Sequence, residues 1–303
     1  MNDIKNIILC GMGAIGSIYA DKILKYNELN FRVLVDEARY SKYVSSPVIY
    51  NSKKLDVKYI LPNESDFSAD LIIIATKMSG FEDALSEIKN FVSDNTIILP
   101  LLNGVLSEEL VASFYGRNKV LYSYFIGHSS VRIGNRISHD GVNTIVFGSD
   151  NPNDADSIQR VKAFFDYTKI NYEVPQDIRH SLWGKFMLNV SSNTTTALFR
   201  KTFGEMLSNE RFMAFAKKIM KEVQLVAEAE GIKNSENLVD ETLSNLQKMT
   251  PEGKTSMLQD VEAGRLTENE IFTGAVLELA KRHGLQTPYC KFLKECFDII
   301  DYR

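Results

Sequence analysis

The sequence predicts an α/β protein in two parts, a parallel-sheet domain followed by an all-helical one. Three observations predict it. Short buried-strand patterns alternate with helical ones through the first half, and a glycine-rich turn follows the first of those strands. Strand signals then largely stop after "YEVPQDI", which places a boundary near residue 174 and gives domains 1–174 and 175–303.

Taken in order, "IKNIILC" (Ile4 to Cys10) reads as a buried strand and Ala14 to Asn27 as the helix behind it. "FRVLVD" (Phe31 to Asp36) is a second strand, while "VIYNSKKLDVKYIL" (Val48 to Leu61) alternates around a polar middle and predicts a hairpin. "LIIIAT" (Leu71 to Thr76) and "TIILPLL" (Thr96 to Leu102) are further buried strands, with a helix from Gly80 to Phe91 between them. "KVLYSYF" (Lys119 to Phe125) follows, and two alternating runs from Ser130 to Gly148 suit antiparallel strands closing the sheet. From Asp177 onward the chain reads as helices, among them "RFMAFAKKIMKEVQLVAEAEGI" and "FTGAVLELAKRHG", each ending at a glycine.

Bulk properties narrow the function. The 303 residues, 44% hydrophobic and 24% charged, suit two soluble globular domains. A formal charge of −4 offers no broad basic field for nucleic acid or anionic lipid. The apolar runs are strand-sized, too short for a membrane span. The early strand leaves no room for a signal peptide, and three sparse cysteines do not make a disulfide framework. A cytoplasmic protein with reduced thiols is the expectation. Four histidines and no Cys/His ligand spacing argue against a structural zinc site, so no metal is expected. A homodimer stays open.

Gly11, Gly13 and Gly16 form G-x-G-x-x-G directly after a strand and at the start of a helix, in "GMGAIG" with Met12, Ala14 and Ile15 between them. The first glycine permits the tight turn, the second lets the backbone approach a pyrophosphate, and the third allows helix and strand to pack closely. That context predicts a Rossmann-type dinucleotide-binding domain. Asp36, at the end of the second strand, suits a ribose and NAD; Arg39 and Lys77 suit a 2′-phosphate and NADP. These residues leave the choice open. Asn103, in "LLNG" after another strand, is a turn asparagine or a group orienting the nicotinamide.

"WGKFMLNVSSN" raises a different question. On an α-helix Lys185, Asn189 and Asn193 fall at roughly 0°, 40° and 80°, along the margin of an apolar face carrying Trp183, Phe186, Met187 and Val190. A partly desolvated lysine there is a competent proton donor, which carbonyl reduction needs once hydride delivery leaves an alkoxide. Downstream, Ser256 with Gln259 and Thr267 with Glu270 fit two capping boxes. Glu268, one residue into the second of these helices, could still hydrogen-bond a substrate hydroxyl, and Ser256 could hold a carboxylate.

These pieces together carry a resemblance. "GMGAIG", "TK" at Thr76 and Lys77, "NG" at Asn103, "WGKFMLNVSSN" and "SMLQDVEAGRLTE" resemble the ketopantoate reductase (2-dehydropantoate 2-reductase) family over the whole chain. The resemblance implies NADPH as donor and a 2-keto acid in an interdomain cleft, reduced on the route to pantothenate. It implies Lys185 as general acid with Glu268 beside it in the catalytic set, and Glu268 in contact with cofactor and substrate. Gly11 to Gly16, Arg39, Lys77 and Asn103 would hold the cofactor, and Asn103, Asn189, Asn193 and Ser256 the substrate. The chain departs from the family pattern at "NTTTA", "TENE" and Thr273-Gly274, and Ala38 stands near the usual arginine position with Arg39 adjacent. A paralogous reductase of another 2-keto acid and a non-catalytic NADP sensor are the alternatives.

Overall fold

The computed structural model describes residues 3–64, 67–127, 131–139 and 141–302. Ser130 and Asp140, inside the runs expected to close the sheet, lie outside them. The chain divides into two compact units, Met1–Leu102 with Ser107–Ile178, and Asn103–Leu106 with Arg179–Arg303.

The first unit begins β1 (Asn6–Cys10), α1 (Ala14–Ile23), β2 (Asn30–Leu34), α2 (Glu37–Ser45), β3 (Ile49–Tyr50), β4 (Lys53–Lys54) and β5 (Tyr59–Ile60). It continues with β6 (Leu71–Ile74), α3 (Phe81–Glu87), β7 (Ile97–Pro100), α4 (Ser107–Tyr115), β8 (Tyr122–Gly127), β9 (Val131–Ile133) and β10 (Arg136–Ser138). β11 (Asn143–Gly148), α5 (Ala155–Thr168) and β12 (Tyr172–Glu173) complete it. Five strands form a parallel sheet in the order β5-β2-β1-β6-β7. Period-two alternation splits its side chains between two cores. Ile7, Leu9, Val33, Ile73 and Leu99 enter one, and Ile8, Cys10, Leu34, Ile74 and Ile98 the other. Both faces are buried, which is why these strands read as unbroken apolar runs. Strand order reverses beside β1, so the glycine turn after β1 lies at the switch point where such sheets bind ligands.

Several expectations need correction. The Val48–Leu61 hairpin is only half realised. Asn51 and Ser52, both at positive φ, turn β3 back into β4, whereas β5 joins the edge of the large sheet parallel to β2. The helix expected over Gly80–Phe91 is α3 flanked by 3₁₀ turns at Met78–Gly80 and Ile88–Phe91. The late strands do not close the parallel sheet. β9 and β10 extend the hairpin into a sheet of order β4-β3-β10-β9, while β8, β11 and β12 form a third sheet of their own.

The second unit is helical, as expected: α6 (Ile178–Leu188), α7 (Thr194–Phe199), α8 (Phe203–Leu207), α9 (Glu210–Ala229), α10 (Leu238–Leu246), α11 (Ser256–Glu262), α12 (Ala275–Arg282) and α13 (Pro288–Ile300). The long amphipathic α9 is its axis, with α10, α12 and α13 packed against it. Buried Glu222 on α9 accepts the backbone N–H groups of Tyr289 and Cys290, both at 2.8 Å, and so satisfies donors at the start of α13. No helix among the described residues is long and apolar enough to cross a membrane, and none of their carboxylate, histidine and cysteine groups forms a metal-binding cluster.

One buried carboxylate in the first unit makes stability pH-dependent. Glu108 on α4 is 2% exposed, accepting from Ser107 Oγ at 2.9 Å and Ser123 N at 3.2 Å. Burial pushes its carboxyl up to about 7, only partly offset by those hydrogen bonds. The folded state therefore holds a proton that the unfolded state has released, and stability falls as pH rises from about 4.5 to about 7. Melting curves of Glu108→Gln against wild type should show the variant's advantage growing across that window and levelling above it. A difference independent of pH would refute the assignment.

Candidate functional site

The glycine loop owes its shape to three positions with different requirements. Gly11 adopts φ +99°, and a methyl there would stand 2.7 Å from Ala75 O. At Gly16 a methyl would lie 1.9 Å from Gly11 O, so helix and loop meet only if this residue is glycine. Around Gly13 nothing stands within 4 Å of an added methyl: the space in front of it is open. α1 begins at Ala14 with no side-chain cap and no acidic residue in its first turn. Its first N–H donors and positive end therefore suit an outside anion. The backbone N of Thr76 borders Gly11, and the buried Thr76 hydroxyl has no partner among the described residues. These features fit a dinucleotide pyrophosphate.

The charged groups around the end of β2 are arranged differently from the sequence reading. Asp36 lies beyond β2 and is the N-cap of α2. Its Oδ1 accepts from the Arg39 backbone N at 2.6 Å and its Oδ2 from Arg39 Nη1 at 2.7 Å. A carboxylate so engaged is oriented toward its own helix. Arg39 Nη2 lies 3.9 Å from where a Gly80 methyl would stand, which brings it beside the turn that opens at exposed Lys77. Glu87 is near enough to feel both partners. Burial, then the charge of Asp36, raises its carboxyl above the usual range, while Arg39 opposes the rise.

In the second unit, residues far apart in sequence are joined by hydrogen bonds. Lys185 Nζ donates to Asn103 Oδ1 at 3.0 Å, and Asn103 Nδ2 donates to Glu268 Oε2 at 3.1 Å. Asn103 reaches Lys185 and Glu268 because the segment Asn103–Leu106, expected within 1–174, clusters with the helical unit. Gly104 at φ +97° makes this approach possible: a methyl there would lie 3.2 Å from Ile271 O.

The lysine helix is not a continuous α-helix. Between α6 and α7, Asn189–Asn193 form a π-turn. From Asn189 to Asn193 four residues then fall short of a full turn instead of overshooting it by about 40°, so the drift assumed for that half of the polar stripe is reversed. Asn193 Nδ2 lies 3.5 Å from Asn189 Oδ1, and both asparagines are buried. Hydroxyls sustain the widened turn. Ser191, Ser192, Thr195 and Thr196 each donate to the carbonyl four residues back, at 2.6 or 2.7 Å, and so satisfy carbonyls that the altered ladder displaces.

Neither capping box forms. Thr255, not Ser256, is the N-cap of α11 and accepts from Leu258 N at 3.2 Å. Thr196 Oγ1 lies 2.8 Å from the Thr255 hydroxyl and buttresses it. Ser256 is exposed at the first helical position, and none of the hydrogen bonds seen among the described residues ties it to Lys185, Asn103 or Glu268. Thr267 donates to Asp301 and accepts from Asn269 N at 3.4 Å rather than from Glu270, which pairs instead with Lys294 at 3.2 Å. Glu268 thus stands before the helical turn, not inside it, and a second π-turn follows at Glu270–Gly274. A run of two adjacent hydroxyl residues, Thr255-Ser256, signals a cap without saying which of them takes the role.

Comparison with known proteins shows the family and the fold. Residues 7–152 match the family model described as ketopantoate reductase PanE/ApbA, and residues 177–300 match its C-terminal counterpart. The 2-dehydropantoate 2-reductase of Streptococcus pyogenes serotype M6 is 26% identical over 295 residues, covering 95% of each chain. A ternary structure of D-mandelate dehydrogenase with NADH and anilino(oxo)acetate superposes with a TM-score of 0.85 at 21% identity, covering 98% of each chain. The 2-dehydropantoate 2-reductase of Geobacter metallireducens gives 0.81 at 23% identity, covering 97% of this chain and 99% of that one. At such identities the structural likeness is one of fold.

The caps yield a direct test. Thr255→Ala should lower stability by about 1 kcal/mol, the ordinary cost of an N-cap, whereas Ser256→Ala should leave the melting temperature nearly unchanged. Equal losses in thermal melts, or a larger loss at Ser256, would return the cap to Ser256.

Proposed function

Since the chain belongs to the ketopantoate reductase family, we propose that it reduces 2-dehydropantoate to pantoate with NADPH, on the route to pantothenate. The observation that carries the reading is the hydrogen-bonded run Lys185–Asn103–Glu268. It places an ammonium, an amide and a carboxylate in one group, which is what reduction of a ketone beside a carboxylate asks of a protein. NADPH, when bound, supplies the hydride. Lys185 donates the proton that the new alkoxide oxygen requires. Asn103 holds the ammonium in place through its carbonyl oxygen and holds Glu268 through its amide nitrogen. Glu268 in turn accepts from cofactor or substrate hydroxyls. Asn189, Asn193 and Ser256 bind the polar groups of the keto acid.

For the cofactor, Gly11 to Gly16 receive the pyrophosphate, and Arg39 with Lys77 receives the 2′-phosphate. Asp36 already accepts from Arg39 through both its oxygens, which supports the 2′-phosphate reading over a ribose contact. A second reading, a paralogous reductase of another 2-keto acid, draws on Asn269. This residue is 3% exposed beside Glu268, its Oδ1 accepts from Thr273 Oγ1 at 2.6 Å, and its Nδ2 has no partner among the described residues. A buried polar pair at this point sits where a different side chain would reshape the surroundings of Glu268. NADPH oxidation measured across a panel of 2-keto acids separates the two readings by which acid gives the highest kcat/KM.

Lys185→Ala should cut turnover roughly 10²–10⁴-fold, the range for losing a positioned general acid. NADPH affinity, measured separately, should survive, because the glycine loop belongs to the other unit. Lys185→Arg should not rescue turnover, since guanidinium does not release a proton near neutrality. A folded Lys185→Ala enzyme with near wild-type turnover would remove the lysine from the chemistry. Calorimetry should also show NADPH binding more tightly than NADH, with the gap narrowing at high salt as the 2′-phosphate contacts are screened. Equal or tighter NADH binding would reject the roles given to Arg39 and Lys77.

A further inference from the structure

Arg132 is far from every motif in the sequence, yet it reaches the glycine loop. It lies on β9, in the sheet that extends the β3–β4 hairpin, and its Nη1 donates to the Met12 carbonyl at 3.4 Å across 120 residues of chain. Its Nε donates to Gly134 O at 3.1 Å, within its own hairpin. Both acceptors are neutral carbonyls, so these bonds orient the guanidinium without cancelling its charge. Neither bond uses Nη2.

The placement is electrostatically unfavourable by itself. The N-terminus of a helix carries positive potential, and cations are favoured at the opposite end. Here a guanidinium is strapped to the residue between Gly11 and Gly13, next to the uncapped start of α1, which has no acidic residue in its first turn. Two positive features held side by side, with open space over Gly13, are reconciled by an anion that touches both. Arg39 makes the contrast plain: its charge is met by Asp36 at 2.7 Å.

We infer that Arg132 is a clamp on the pyrophosphate of the bound dinucleotide, a cofactor-binding residue of the β9–β10 hairpin. The inference rests on the dinucleotide reading above and adds a residue to it. The pyrophosphate is common to NADPH and NADH, so Arg132 contributes to the affinity of both. It differs in this from Arg39 and Lys77, which read the 2′-phosphate. A guanidinium suits the task because its fork engages two phosphate oxygens at once.

Calorimetric titration of the full chain with NADPH and with NADH tests the assignment, with melting curves of the cofactor-free variants as the control for folding. Arg132→Ala should weaken both cofactors by the same factor, about tenfold, equivalent to one charge-assisted contact. The affinity of that variant should also depend less steeply on salt than wild type. Arg132→Gln keeps a donor for the Met12 carbonyl but no charge, and it should lose affinity as Arg132→Ala does. Arg39→Ala should instead change the ratio between the two cofactors. The assignment is overturned by a folded Arg132→Ala protein with unchanged affinities, by wild-type affinity in Arg132→Gln, or by a loss confined to NADPH. Wild-type protein that binds neither cofactor would overturn the dinucleotide reading itself.

Discussion

Asn103 is the constraint on which the hydrogen-bonded run of the helical unit depends. Its amide oxygen accepts from the Lys185 ammonium and its amide nitrogen donates to the Glu268 carboxylate. A primary amide does both at once from one rigid plane, with the oxygen as acceptor and the nitrogen as donor. Each bond has one charged partner, so each belongs to the class worth about 1.5–3 kcal/mol, above the 0–1 kcal/mol of an exposed ion pair. The ammonium and the carboxylate are thus both bound to one amide. The arrangement demands unusual backbone on all sides. Gly104 takes a positive φ against Ile271, and π-turns follow both Lys185 and Glu268.

Those π-turns connect the sequence to this arrangement through the hydroxyl side chains. Ser191 to Thr196 is a poor stretch for an ordinary α-helix, since short hydroxyl residues compete for backbone carbonyls. In a widened turn that competition becomes useful, because the carbonyls displaced from the ladder need partners. Buried Asn189 and Asn193 can then face one another, while Trp183, Phe186 and Met187 keep their places in the core. Thr196 extends the effect to α11 by meeting the Thr255 cap that positions Ser256.

Much of this was legible in the sequence, and the exceptions have physical causes. The parallel sheet announced itself because strands buried on both faces are uninterrupted apolar runs, as in "NIILC" and "LIII". The glycine loop was legible because steric exclusion at Gly11 and Gly16 leaves no alternative residue. Tyr59–Ile60 misled because two residues cannot declare whether their partner is the adjacent hairpin or a distant edge. The caps were misassigned for a related reason: Thr255 and Ser256 have the same chemistry, and Thr267 found Asp301 thirty-four residues away. A π-turn carries no period that a 100° wheel can show. Arg132 was invisible, since nothing in an alternating strand marks which arginine will meet a loop 120 residues earlier.

If Asn103 acts by holding Lys185, the two residues form a single catalytic device and their losses cannot multiply. The decisive measurement is therefore kcat at saturating NADPH and keto acid for Lys185→Ala, Asn103→Ala and the double variant. The account predicts that the double variant is slowed far less than the product of the two single losses, the signature of residues that work as a unit. A double variant slower by the full product of the two single losses would contradict it, and Asn103 would then serve catalysis independently of the lysine.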